Sequence, residues 1–97
     1  MTTYYSMDDY KFVKFRRSQT NNKKYDAIIE NKESKKQIIL PFGDTRYSQY
    51  KDSTGLGFYS HKDTKNKLRR SLFRDRHKGF LKPNHFSPSY FSFNFLW

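Results

Sequence analysis

Apolar and polar positions divide the chain into a β-like half, a glycine-aromatic connector and a helical half. Residues 10–16 read Tyr-Lys-Phe-Val-Lys-Phe-Arg, with the rings of Tyr10 and Phe12 two apart as in a strand. Phe15 breaks that alternation. Residues 18–23 form a polar turn cluster around Asn21 and Asn22, a residue type that tolerates the left-handed region. Residues 25–30 and 37–40 carry the β-branched pairs Ile28-Ile29 and Ile38-Ile39, and the charged segment between them is of hairpin length. An antiparallel pair follows, and residues 10–16 supply a third strand. Pro41, lacking an N–H, is expected to end the ladder. Ahead of the sheet, residues 1–9 read as a loose arm with Tyr4, Tyr5 and Met7 as anchors.

Residues 41–62 hold Gly43, Gly55 and Gly57 interleaved with Phe42, Tyr47, Tyr50, Phe58 and Tyr59. Glycine suits positive φ or a close backbone approach, and the rings supply contact area, so the stretch reads as the connector between the two halves. Asp44 is placed to cap a short helix over residues 45–51. The main helix is predicted over residues 64–78, with Asp63 or Thr64 as N-cap and Gly79 as the stop. Leu68, Leu72 and Phe73 make its narrow apolar stripe, expected to face the core. Ser87-Pro88 resembles a cap followed by proline at the first helical position, whereas Phe91, Phe93 and Phe95 alternate as in a strand. Caps decide, and a short C-terminal helix is predicted. The expected fold is α+β: a small antiparallel sheet of two to three strands, a basic helix and an aromatic C-terminal segment. Residues 1–23 are assigned to an arm and first strand, and residues 24–97 to a single small domain.

Composition changes this picture in two ways. Leu, Ile, Val and Phe together supply only 21 of 97 residues, so the eight Tyr and one Trp must help build a core made mainly of rings. The formal charge of +11 implies an anionic partner: nucleic acid, an anionic membrane or an acidic protein face. Without cysteine, disulfides and thiolate metal sites are excluded. No apolar run reaches the roughly 20 residues of a membrane span. Asp8 and Asp9 make the N-terminal stretch unlike a signal peptide, which suits a chain kept in the cytosol or nucleus, or packaged from there.

Little points to catalysis. His61, His77 and His85 have no metal-ligand spacing. Asp44, Asp52 and Asp63 fall at turns or caps, which explains them without a metal-dependent reaction. The Gly55-Leu56-Gly57-Phe58-Tyr59 run is neither an RNA-binding aromatic strand nor a phosphate loop. No enzyme, cofactor or small-molecule substrate is expected. The basic helix is the candidate site, through Lys65, Lys67, Arg69, Arg70, Arg74, Arg76 and Lys78, for nucleic acid or an acidic partner. Tyr4, Tyr5, Tyr90, Phe91, Phe93, Phe95 and Trp97 are the candidate protein-interface anchors.

Several segments together resemble one family: residues 24–29, 41–47, 49–52 and 61–63, then Arg69-Arg70, Arg74-Asp75-Arg76-His77 and the ending Leu96-Trp97. The chain resembles, over residues 24–97, short basic proteins of large nucleocytoplasmic DNA viruses, among them giant viruses of algae and protists. The resemblance carries no catalytic roles. It implies a compact structural product of the virion, a minor capsid or cement protein assembled in the viral factory of the host cytoplasm and contacting other capsid proteins. The alternative is a nucleic-acid-binding protein without sequence preference, using the helix at 64–78.

Overall fold

A computed structural model describes residues 3–97. Strands β1 (Tyr5–Ser6), β2 (Tyr10–Arg17), β3 (Lys23–Asn31) and β4 (Gln37–Asp44) precede helix α1 (Lys67–His77), strand β5 (His85–Phe86) and helix α2 (Pro88–Phe95). The order in the larger, antiparallel sheet is β2-β3-β4, while β1 pairs antiparallel with β5. The fold is therefore α+β.

Strand β3 is central and buried along most of its length. Side chains alternate across a strand, so Tyr25, Ala27 and Ile29 join the core while Asp26 and Ile28 take the other face. The register sets Tyr25 beside Phe42, Ala27 beside Leu40 and Ile29 beside Ile38. Asp26 is buried and satisfied by Arg16 Nε at 3.0 Å and Ser18 Oγ at 2.7 Å. The broken alternation of β2 has a cause. Its register against β3 shifts between Phe12 and Lys14, so Val13 is the extra residue of a bulge. The bulge puts Phe12 and Phe15 on the same side, their rings 4.7 Å apart. Asn22 closes the β2–β3 turn with φ of 65°.

Helix α2 closes the core. Ser87 Oγ accepts from the Tyr90 N–H at 3.1 Å, and Pro88 occupies the first turn, as its sequence predicts. This settles the C-terminal segment as helix. Phe91 is the hub, with ring centroids of Phe12, Phe15, Phe42 and Phe86 all at 5.7–5.8 Å.

Four expectations need correction. Pro41 does not end the ladder: β4 runs on to Asp44, and the proline is tolerated because β4 is an edge strand. The arm is not loose among the described residues. β1 pairs with β5, the Met7 N–H reaches the Asn84 carbonyl at 2.8 Å, and the Tyr5 ring packs edge-on against Tyr10. Met1 and Thr2, also assigned to the arm, lie outside the described residues.

Residues 45–51 form no helix. Asp44 Oδ1 instead accepts from the Arg46 N–H at 2.9 Å in a local turn. The chain then runs past the end of α2, and the N–H groups of Tyr50, Lys51 and Ser53 satisfy the Leu96 and Phe95 carbonyls. Lastly, α1 starts at Lys67, capped by Asn66 Oδ1 on the Arg69 N–H. Thr64 and Lys65 are tied back to Gln49 and Tyr50, and Lys65 has φ of 52°, which no helix can pass through. At the other end the helix tightens into a 3-10 turn, Lys78–Phe80, that runs through Gly79.

Candidate functional site

Residues 45–66 connect sheet to helix with one 3-10 turn, Ser60–Lys62, as their regular structure. A connector that long needs internal fastening, because its backbone groups have no ladder to join. Gln49 supplies it. Fully buried, its side chain accepts from Lys24 Nζ at 2.5 Å and donates to the Tyr59 carbonyl and to Asp63 Oδ1, both at 2.8 Å. Its N–H donates to the Lys62 carbonyl, and its own carbonyl accepts from the Thr64 N–H. Asp63 Oδ1 also accepts from the Asp52 N–H at 2.8 Å. The Tyr25 hydroxyl donates to Asp52 Oδ2 and accepts from the Tyr59 N–H.

These bonds shift titrations. Burial first, and Lys62 second, lower the Lys24 amine from 10.5 to about 8, against the opposing pull of Asp44, Asp52 and Asp63. Burial and the Asp52 hydrogen bond push the Tyr25 hydroxyl up to about 12. Burial raises the Asp52 carboxyl, but hydrogen bonds from Thr54 and Tyr25 more than offset it, leaving the group below its ordinary value. Asp52 and Asp63 are thus taken up by donors of this chain. Among the described residues, no three His, Asp or Glu side chains gather to hold a metal ion.

Helix α1 sits beside this connector and buries none of its own residues. Two faces of the cylinder do different things. Arg70, Phe73, Arg74 and His77 recur at helical spacing and grip the C-terminal segment. Arg70 Nε and Arg74 Nε donate to the main-chain oxygen of Trp97 at 2.8 and 3.1 Å. Their guanidinium groups also lie over the rings of Tyr50 and Phe93, at 4.8 and 4.3 Å from the centroids. Burial, with Arg70 alongside, lowers the Arg74 pKa. Phe73 is sandwiched between His77 at 3.9 Å and Trp97 at 4.5 Å, all three rings nearly parallel. His77 Nδ1 bonds the Phe73 carbonyl at 2.9 Å.

The apolar stripe does not reach the core. Leu68 is 69% and Leu72 53% exposed. The reason is that the arginine–Trp97 contacts hold the helix at the periphery, with Arg69, Leu72 and Arg76 turned toward a cleft of about 690 Å³. The far side is the end of the sheet, at Lys23, Gly43 and Asp44, and the lining also includes Phe73, His77, Trp97 and residues of α2. Gly43 has φ of 76°, and a Cβ there would sit 2.8 Å from Leu96 Cδ1. The single carboxylate in the lining, Asp44, is held by the Arg46 fork at 2.7 and 3.0 Å, which keeps it well below the usual carboxylate range.

The structure therefore splits the seven candidate cations. Arg69 and Arg76 meet at the cleft, joined there by Lys23 and Lys24, while Arg70 and Arg74 are structural fasteners. Lys65 and Lys67 are exposed before and at the start of α1, and Lys78 lies 3.8 Å from Asp75 at its far end. The candidate anchors are also placed variously. Phe91 is buried in the core and so cannot serve as an exposed anchor, whereas Tyr90, Phe93, Phe95 and Trp97 are half-buried. The Tyr4 hydroxyl donates to the Phe80 carbonyl at 2.8 Å, and Tyr5 lies in β1. Sequence reasoning missed Lys24 and Gln49, whose polarity looks like that of any solvated residue. Among the described residues, no helix is long and apolar enough to cross a membrane. Comparison with known proteins finds no match: no family model fits the chain, and no curated protein or solved structure is similar to it.

Proposed function

We propose that this chain is a non-enzymatic structural protein that works by adhesion, as a minor capsid or cement component of a virus particle. The exposure of Leu68 and Leu72 on a helix otherwise rich in arginine and lysine carries this reading. An amphipathic helix whose leucines are left exposed by its own chain is suited to lie in the groove of another protein, and its cations favour an acidic groove. The resemblance of residues 24–97 to short basic proteins of large DNA viruses supplies the setting, with assembly in the host cytoplasm and residence in the virion. A mass-spectrometric inventory of purified particles tests it, and absence of the chain overturns it. Replacing Leu68 and Leu72 together by Asp should abolish sedimentation with particles while leaving thermal unfolding unchanged.

A second reading, binding of nucleic acid without sequence preference, is favoured by one observation. Among the described residues, Lys23, Arg69 and Arg76 make no ion pair within the chain. Cations without internal partners are available to phosphates, and affinity then falls steeply with salt. Titration with duplex DNA at about 50 mM and about 200 mM salt tests it. Binding indifferent to salt counts against it.

A further inference from the structure

The cleft joins two features that the readings above use separately. Its rim carries Lys23, Arg69 and Arg76, and its only carboxylate, Asp44, is already neutralised by Arg46. Its wall carries the stacked rings of Phe73, His77 and Trp97, held nearly parallel by the arginine bonds to Trp97. The volume, about 690 Å³, is within the roughly 300–1,000 Å³ of sites that enclose a small organic group.

We infer that the cleft is a subsite for one nucleotide of a single-stranded nucleic acid, its base against the ring stack and its phosphate among Lys23, Arg69 and Arg76. The inference rests on the nucleic-acid reading and narrows it. Flat π-faces attract bases of any identity, and fixed cations attract the backbone, so such a site binds without regard to sequence. A duplex keeps its base faces stacked inward, so only an unpaired strand offers a base to rings set inside a cleft. Hydroxyls of Ser89 and Ser92 on α2 lie along the same lining and add polar groups to meet the sugar and base edges. An acidic peptide would satisfy the cations but brings no flat ring to lay against the end of the stack.

Trp97 is the only tryptophan of the chain and lines the cleft, so its emission reports on binding at this end of the molecule. The experiment follows that emission and the anisotropy of an end-labelled oligothymidylate of about ten nucleotides at about 50 mM salt. Expected is a rise in anisotropy together with quenching of Trp97, and quenching by a matched oligouridylate supports the assignment equally. Arg69→Ala combined with Arg76→Ala should weaken binding roughly tenfold or more with an unchanged melting curve, because among the described residues neither side chain makes an ion pair. A rise in anisotropy with unquenched Trp97 overturns the cleft while leaving the nucleic-acid reading standing. No rise with either single strands or duplex overturns both. Quenching by polyglutamate as strong as that by oligothymidylate assigns the cleft to an acidic protein segment and overturns the nucleotide.

Discussion

Gln49 is where the connector is fastened, and its amide can do this because it both donates and accepts. Lys24 needs an acceptor, Asp63 and the Tyr59 carbonyl need donors, and a single buried side chain meets all three. Leucine in its place would fill the space and strand those partners away from water. Gln49→Leu is expected to cost about 3 kcal/mol in urea denaturation, several times the effect of a surface substitution. Lys24 adds a dependence on pH. Unfolded, its amine loses a proton near 10.5, and folded it does so near 8. Between those values the unfolded chain binds the extra proton, so stability rises with pH across the window and levels off above it. Lys24→Met should be less stable at pH 7.5 yet lack this rise, as read from unfolding midpoints measured at intervals through the window. Tyr25 acts in the opposite direction and at higher pH, since its raised value lets the folded state keep a proton that the unfolded chain gives up between 10 and about 12.

At the level of elements, the two helices differ in what holds them. Helix α2 is nailed down by Phe91 and its Ser87 cap, whereas α1 depends on arginine bonds to one main-chain oxygen and on a ring sandwich. Helix α1 should therefore open without the sheet. Arg74→Ala removes one of those bonds and the contact with the Phe93 ring, and should speed hydrogen exchange in α1 by about tenfold or more while β3 amides keep their protection. Equal acceleration in β3 would contradict this. The same contrast explains what was legible in the sequence. Ile28-Ile29, Ile38-Ile39 and Ser87-Pro88 announce strands and a cap because their physics is local. The stripe of Leu68, Leu72 and Phe73 announces a helix but not the side it buries, since Arg70 and Arg74 compete for the inward position and win through contacts 23 to 27 residues away. The cap-like Asp63 and Thr64 do not start α1 for a related reason: Thr64 and Lys65 are diverted to the connector by bonds to Gln49 and Tyr50.

Across the whole molecule, rings do the work that aliphatic residues do elsewhere, and the charge is largely left on the outside. Phe42, Phe86 and Phe91, with Phe15 packed against them, make a core between sheet and α2, while most basic groups other than Lys24, Arg70 and Arg74 line a cleft at one end of the sheet or point to solvent. The composition alone leaves folding in question, and the register of β3 answers it by bringing Tyr25, Ala27 and Ile29 onto the ring-lined side. Strand β4 lies at a margin of its sheet and runs Gln-Ile-Ile-Leu-Pro-Phe. Such a margin, greasy and half-unbonded, invites other copies to stack onto it and grow into insoluble fibrils. Pro41 interrupts the row of donors midway and so acts as a gatekeeper. Pro41→Val should leave the melting temperature nearly unchanged but make concentrated samples turn thioflavin-positive, and a variant that stays clear for as long as the parent would remove that role from the proline.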